Sequence, residues 1–225
     1  RPPPPHATSP RCHACPTRAC RGMPQRRVVL VVGPAFSGKT CLLRRLVDGA
    51  FPEPPPRRTL GIDLEAGRCT VGGVEGSCGS DGETADVPAG GMEVEFWEMG
   101  GRELREPPRG SRIDGILACY DAGDRNSFHR LAHLLCRLRL DAHLSRPSSS
   151  APPGAGAVPC GPRAVLCGTM ADRCSASGSP VRQDEVAAFV ASHGLAGAAL
   201  TSARTGAGAT ALLRALAAAV RGGEA

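Results

Sequence analysis

The stretch Val28-Val29-Leu30-Val31-Val32-Gly33-Pro34-Ala35-Phe36-Ser37-Gly38-Lys39-Thr40 decides how the rest of this chain is read. Its first part is an unbroken β-branched and apolar run, the pattern of a strand buried on both faces of a parallel sheet. Its second part fits G-x-x-x-x-G-K-[ST]. Residues 39–48 follow as a helix, with Leu42, Leu43, Leu46 and Val47 on one side. Phosphate chemistry needs this order of elements. Loop N–H groups wrap the anion, the helix N-terminus adds positive potential, Lys39 reaches the outer phosphates and the Thr40 hydroxyl ligates magnesium. Composition alone would produce the motif in roughly two of a thousand such chains. Lys39 is also the only lysine among 27 basic residues. A chain that otherwise uses arginine keeps one compact point charge where a planar fork would not fit a phosphate cradle. The competing reading is a Gly-rich strand-to-helix turn carrying one exposed lysine.

Outward from this stretch, strands and helices alternate. Strands are expected near 92–97, where Met92, Val94 and Phe96 alternate with acids, and at 113–120, 163–167 and 197–200. A helix over 125–144 places Phe128, Leu131, Leu135 and Leu138 at helical spacing, with Asp124 as N-cap. Another over 181–193 has Ser179 and Pro180 as cap and first-turn pair and Gly194 as its stop. A last helix carries Leu212, Leu213, Leu216 and Val220. The alternation predicts an α/β fold, a layered sheet with helices on both faces. Gly-rich, acidic residues 72–91 and the Ser/Pro/Gly/Ala run 145–162 break the rhythm and read as surface insertions.

The 225 residues make one domain over 26–225, preceded by a Pro/Arg-rich stretch, 1–25, too poor in apolar surface to fold. The net charge of +6 comes from the first 27 residues, which hold six arginines and no acid; the remainder carries 21 basic and 21 acidic side chains. With no basic stripe and only 3% aromatics, a nucleic-acid module is excluded. Cys12, His13 and Cys15 could form half a zinc site, but no second paired half accompanies them, so solvated tail cysteines are the simpler reading. An acid-free, Arg-rich N-terminus also fits an organelle transit peptide. The odd count of 11 cysteines, with Cys41, Cys119 and Cys167 in apolar runs, points to a reducing compartment. No run is long enough to span a membrane and no secretory signal is visible, so a cytoplasmic location is expected.

Further motifs carry a resemblance. Lys39-Thr40-Cys41-Leu42-Leu43-Arg44-Arg45 with Asp48-Gly49-Ala50-Phe51 is similar to the first helix of Rab proteins, and Thr59-Leu60-Gly61-Ile62-Asp63 to their first switch. Trp97-Glu98-Met99-Gly100-Gly101-Arg102-Glu103 is similar to the second switch, usually Trp-Asp-Thr-Ala-Gly-Gln-Glu. Gly168-Thr169-Met170-Ala171-Asp172 sits where the family has its guanine-reading Gly-Asn-Lys-x-Asp. Thr201-Ser202-Ala203-Arg204-Thr205-Gly206 matches Thr-Ser-Ala-Lys-x-Gly. In this order the motifs resemble a Rab-like small GTPase, a divergent one closest in layout to the Rab-like three group. The resemblance implies a P-loop NTPase fold with a six-stranded, mostly parallel sheet, GTP or GDP with Mg2+ as ligands, and a switch in trafficking or signalling. It implies nucleotide contacts from residues 33–41, that is Gly33, Pro34, Ala35, Phe36, Ser37, Gly38, Lys39, Thr40 and Cys41. Further contacts are implied for Thr59, Gly101, Thr169, Met170, Asp172, Ser202, Ala203 and Arg204, with Thr40, Thr59 and Glu98 at the metal.

Departures from the family pattern set further expectations. Glu98 is one methylene longer than the usual carboxylate and loosens magnesium binding. Arg102 replaces the glutamine that orients water and cannot accept its hydrogen bond, so hydrolysis should be slow or absent and no catalytic residue is assigned. Pro107 and Pro108 should break the second-switch helix. Thr169 and Met170 lack the base-reading amide and ammonium, which costs about 1 to 3 kcal/mol in binding and weakens base choice. Phe36, where the family has a small residue, either strains a positive-φ position, covers the nucleotide or packs on a switch. Trp97 is either a partner-reading surface residue or a half-buried strand-end residue. With no cysteine after Cys174, a prenyl anchor is not expected. Regulatory or effector proteins would read the switch segments, and the resemblance also allows a homodimer. A pseudo-GTPase scaffold is the alternative. A phosphate-loop kinase is disfavoured by the Trp-Glu-Met-Gly-Gly and Thr-Ser-Ala-Arg motifs.

Overall fold

A computed structural model describes residues 26–54, 56, 62–71, 92–100, 113–137, 163–174 and 179–221. The stretch read as a tail and both insertions lie outside the described residues, as do Thr59, Gly101, Arg102, Pro107 and Pro108.

Five strands run parallel: β1 (Arg26–Val32), β3 (Met92–Met99), β4 (Gly115–Asp121), β5 (Arg163–Thr169) and β6 (Gly197–Leu200). The sixth, β2 (Ile62–Val71), pairs antiparallel with β3 at one edge, giving the order β2-β3-β1-β4-β5-β6. Hydrophobic periodicity reveals the parallel five. Residues 62–71 mix Asp, Glu, Gly and Arg among apolar residues, so β2 has no clean alternation to betray it.

The β1 run is buried on both faces because it lies mid-sheet. Val29 and Val31 meet α1 (Lys39–Asp48) and the C-terminal helix, Ala209–Arg221, in one core; Leu30 and Val32 join the opposite core with Phe128, Leu131 and Phe189. The helices of this second core are α2 (Arg125–Arg137) and α3 (Gln183–Ser192), so the C-terminal helix is α4. Each fully buried leucine contributes about 1.5–3 kcal/mol. The α/β layering with helices on both faces follows from strands that alternate side chains between two apolar cores.

Local boundaries follow from polar groups. Asp124 caps α2, its carboxylate accepting from the Asn126 N–H at 2.9 Å. Helix α3 does not begin with the Ser179–Pro180 pair expected of it. The Ser179 hydroxyl instead donates to the Ala122 carbonyl at 2.6 Å and accepts from the Val181 N–H at 3.2 Å, while Val181 sinks into the core. The helix starts two residues beyond Val181, and Glu185 turns back to accept from the Arg182 N–H at 3.0 Å. Strand β4 likewise starts at Gly115, not at 113, because Asp114 is used as an anchor: its carboxylate accepts from the Val28 N–H at 2.9 Å and pairs with Arg27 at 3.3 Å. Among the described residues no helix is long and apolar enough to cross a membrane.

Candidate functional site

The loop between β1 and α1 is held by its own atoms and by the neighbouring strand. A Cβ on Gly33 would lie 2.3 Å from the Cys119 carbonyl oxygen, so only glycine lets β1 turn against the end of β4. The Pro34 carbonyl then collects three donors: the Ser37 N–H at 3.3 Å, the Ser37 hydroxyl at 2.9 Å and the Lys39 ammonium at 2.9 Å. Lys39 also donates to the Gly33 carbonyl at 3.1 Å. Gly38 takes a left-handed φ of 72° as N-cap of α1 and brings no side-chain cap to it. The helix therefore presents N-terminal N–H groups that its own backbone cannot satisfy, and the positive end of its dipole, toward the loop.

Lys39 is 5% exposed, and this burial pulls its ammonium below the ordinary lysine range, partly countered by the Glu98 carboxylate and by Cys119. An anion placed beside it would reverse that penalty, since nearby negative charge favours the charged form. At the mouth of the loop the Thr40 hydroxyl donates to Glu98 Oε1 at 2.8 Å, across 58 positions of sequence. A hydroxyl and a buried carboxylate side by side form a hard-oxygen set suited to magnesium. Among the described residues there is no cluster of three or more His, Cys, Asp and Glu side chains that could hold a metal ion.

Phe36 projects from this loop, 73% exposed, at a φ of 66°. Of the readings open for it, strain at a left-handed position is therefore met. Ala35 beside it and Cys41 in the first turn of α1 are half-buried; burial raises the Cys41 thiol pKa, and Glu98 adds to the rise.

At the ends of β5 and β6 lie the residues expected at the base. Thr169 turns inward, its hydroxyl 2.7 Å from the Ser37 carbonyl and 2.9 Å from that of Tyr120. It is a strut between β4, β5 and the loop that precedes α1. Met170 sits at φ 55° with its side chain against Gly38, where an added Cβ would meet Met170 Cε at 3.2 Å. Asp172, on the 3-10 turn Ala171–Arg173, accepts the Ser202 hydroxyl at 2.6 Å, with Arg204 Nε at 4.0 Å. The Ala171 N–H donates to the Thr201 carbonyl at 3.0 Å, which brings the two segments together. Ala203 is buried and Arg204 lies 5.6 Å above the Phe51 ring.

The fold thus gathers residues 33–41, Glu98, Thr169, Met170, Asp172 and 202–204 at the C-terminal ends of β1, β3, β5 and β6, the crevice where open parallel sheets place ligands. Trp97 is half-buried, packed on the second core with its indole N–H donating to Glu95 at 3.1 Å, which favours the strand-end reading. The sequence places Thr169 among the implied contacts but does not reveal its inward hydrogen bonds, and it does not single out Arg45, although a basic residue near the Gly49 stop of α1 is a known C-terminal signal. No protein-family model matches the chain, and no curated protein is significantly similar to it.

Proposed function

We propose that the chain is a GTP-binding switch with a Rab-like small-GTPase fold, in which hydrolysis is slow or absent. The observation that carries this reading is the buried Lys39 ammonium, folded onto the Gly33 and Pro34 carbonyls at the uncapped start of α1. A buried cation beside orphan N–H groups is a site whose complement is an anion of phosphate size. Residues 33–40 bind the phosphates, and Lys39 exchanges its loop carbonyls for phosphate oxygens. Thr40 and Glu98 would hold Mg2+, which supplies positive charge to the phosphate oxygens when bound. Asp172, with the Ser202 hydroxyl fixing its orientation, accepts from a base edge that carries N–H donors, as guanine does. Partners would be regulatory or effector proteins that read the segments around Thr59 and Gly101 as the nucleotide orders them.

A pseudo-GTPase scaffold is the second reading, favoured by Thr169. Its hydroxyl is turned to main-chain carbonyls, so the usual base-reading amide has no substitute at that position. The two readings separate in one titration of a fluorescent GTP analogue against the full chain, with and without magnesium, with ATP as competitor. The switch requires magnesium-dependent binding displaced by GTP and lost by about a hundredfold or more in Lys39→Ala, the cost of a charge-assisted phosphate contact in a buried site. Absence of binding at high micromolar concentration, in protein shown to be folded by circular dichroism, overturns it in favour of the scaffold.

A further inference from the structure

Arg45 lies in the C-terminal half of α1 between the buried Leu43 and Leu46, its guanidinium directed to the end of the helix opposite Lys39. Its guanidinium makes three charge-assisted hydrogen bonds to main-chain carbonyls: Nη1 to Gly49 at 2.6 Å, Nε to Ala203 at 2.6 Å and Nη2 to Arg204 at 2.7 Å. The first closes the C-terminal turn of its own helix. The other two reach about 160 positions along the chain, to the turn that follows β6. Both acceptors are successive carbonyls, so the fork fixes two adjacent peptide planes.

That turn is the one holding Asp172. Ser202 donates to the Asp172 carboxylate and its hydroxyl accepts from the Thr205 N–H at 3.2 Å, while the Gly206 N–H closes on the Ser202 carbonyl at 2.8 Å. Gly208 follows with no room for a side chain, since a Cβ there would lie 2.1 Å from the Leu200 carbonyl oxygen. The turn is therefore anchored to β6 on one side and to α1, through Arg45, on the other.

We infer that Arg45 is the positioning residue that sets the base-contacting turn at 202–205 relative to the phosphate loop, by tying that turn to the helix whose first turn carries Lys39 and Thr40. The inference rests on the nucleotide reading above. Phosphate contacts are made at the N-terminal end of α1 and do not need Arg45; base contacts are made by groups whose position Arg45 holds. Only a planar fork with several donors spans the three carbonyls, and a lysine ammonium on a flexible stem holds them less rigidly. Without the fork, ordering the turn falls to the ligand, which weakens binding of any ligand that uses it.

The test compares two probes on the full chain, GDP and inorganic tripolyphosphate, both with magnesium and both as competitors of a fluorescent GTP analogue. Arg45→Ala should weaken GDP about tenfold or more and leave tripolyphosphate unchanged, with Arg45→Lys in between. Should Arg45→Ala fail to fold by circular dichroism, the GDP-to-tripolyphosphate ratio of Arg45→Lys decides alone. Unchanged GDP affinity overturns the inference. So does an equal loss for both probes, because Arg45 is then a strut of the whole domain. Failure of the wild-type chain to bind either probe overturns instead the nucleotide reading on which the inference rests.

Discussion

On the proposed nucleotide reading the crevice has a phosphate end, residues 33–40, and a base end, residues 169–172 and 202–204, and the two differ in what holds them. At residues 33–40 the main chain does most of the work: the Gly33 turn against Cys119, the Pro34 carbonyl with its three donors, the left-handed Gly38. Each requirement falls on a glycine, a backbone group, Lys39 or the small Ser37 hydroxyl, and little substitution satisfies it. At the base end the reading would fall to side chains, and Thr169 and Met170 stand where the resembled family has an amide and an ammonium. The fold tolerates these changes because Thr169 still joins the Ser37 and Tyr120 carbonyls and Met170 still packs on Gly38. The contrast teaches that a position can keep a structural duty where it carries no group suited to reading a base.

The sharpest way to break this contrast is at Gly33. Gly33→Ala forces a methyl against the Cys119 carbonyl, and chemical denaturation should show a loss of about 2–4 kcal/mol, comparable to other backbone clashes at buried sites. A loss below about 0.5 kcal/mol, the range of ordinary surface substitutions, would mean that the phosphate end is no tighter than the rest of the chain.

Thr169 tests the other side. Thr169→Val keeps the shape and removes the single hydroxyl proton that the Ser37 and Tyr120 carbonyls share at a position 2% exposed, and should cost about 1–3 kcal/mol in stability. Thr169→Asn restores an amide and should raise the preference for GTP over ATP in competition while holding most of that stability. If Thr169→Val proves neutral in denaturant, the strut has no energetic content.

A smaller effect of opposite sign is expected at Phe36. A left-handed φ costs a side-chain-bearing residue about 1–2 kcal/mol. Phe36→Gly removes that strain but returns part of it as unfolded-state entropy, for a net gain of about 1 kcal/mol or less. A loss of stability would show that the exposed ring makes contacts of its own.

The smallest effect lies outside the crevice. Glu185 is held below the ordinary carboxylate range by the Arg182 N–H and by the Arg125 guanidinium. A lowered folded-state value means that its contribution is full above the unfolded value of 4.5 and fades as pH falls through the folded one. The melting temperature of wild type should therefore exceed that of Glu185→Gln near neutral pH, and the gap should close in acid. A gap independent of pH would assign the effect to packing.

Legibility in the sequence follows the range of each interaction. The strand at 28–32, the loop with Lys39 and the helix after it are all local. Their signals are apolar runs, glycine spacing and helical periodicity, properties of neighbours along the chain. The same holds for the stop at Gly194 and for Asp124 as a cap. The start of α3 escaped because the Ser179 hydroxyl had a better partner in Ala122, far along the chain, than in its own helix.

Sequence by itself determined that this chain builds an α/β sheet with a strand–glycine loop–helix unit at its centre, because both depend on hydrophobic period and on local backbone freedom. Tertiary structure alone decided that Glu98 meets Thr40, that Thr169 turns inward to Ser37 and that Arg45 grips the turn after β6. Each of those contacts joins groups dozens to more than a hundred positions apart, and no periodicity records which strand end comes to lie beside which.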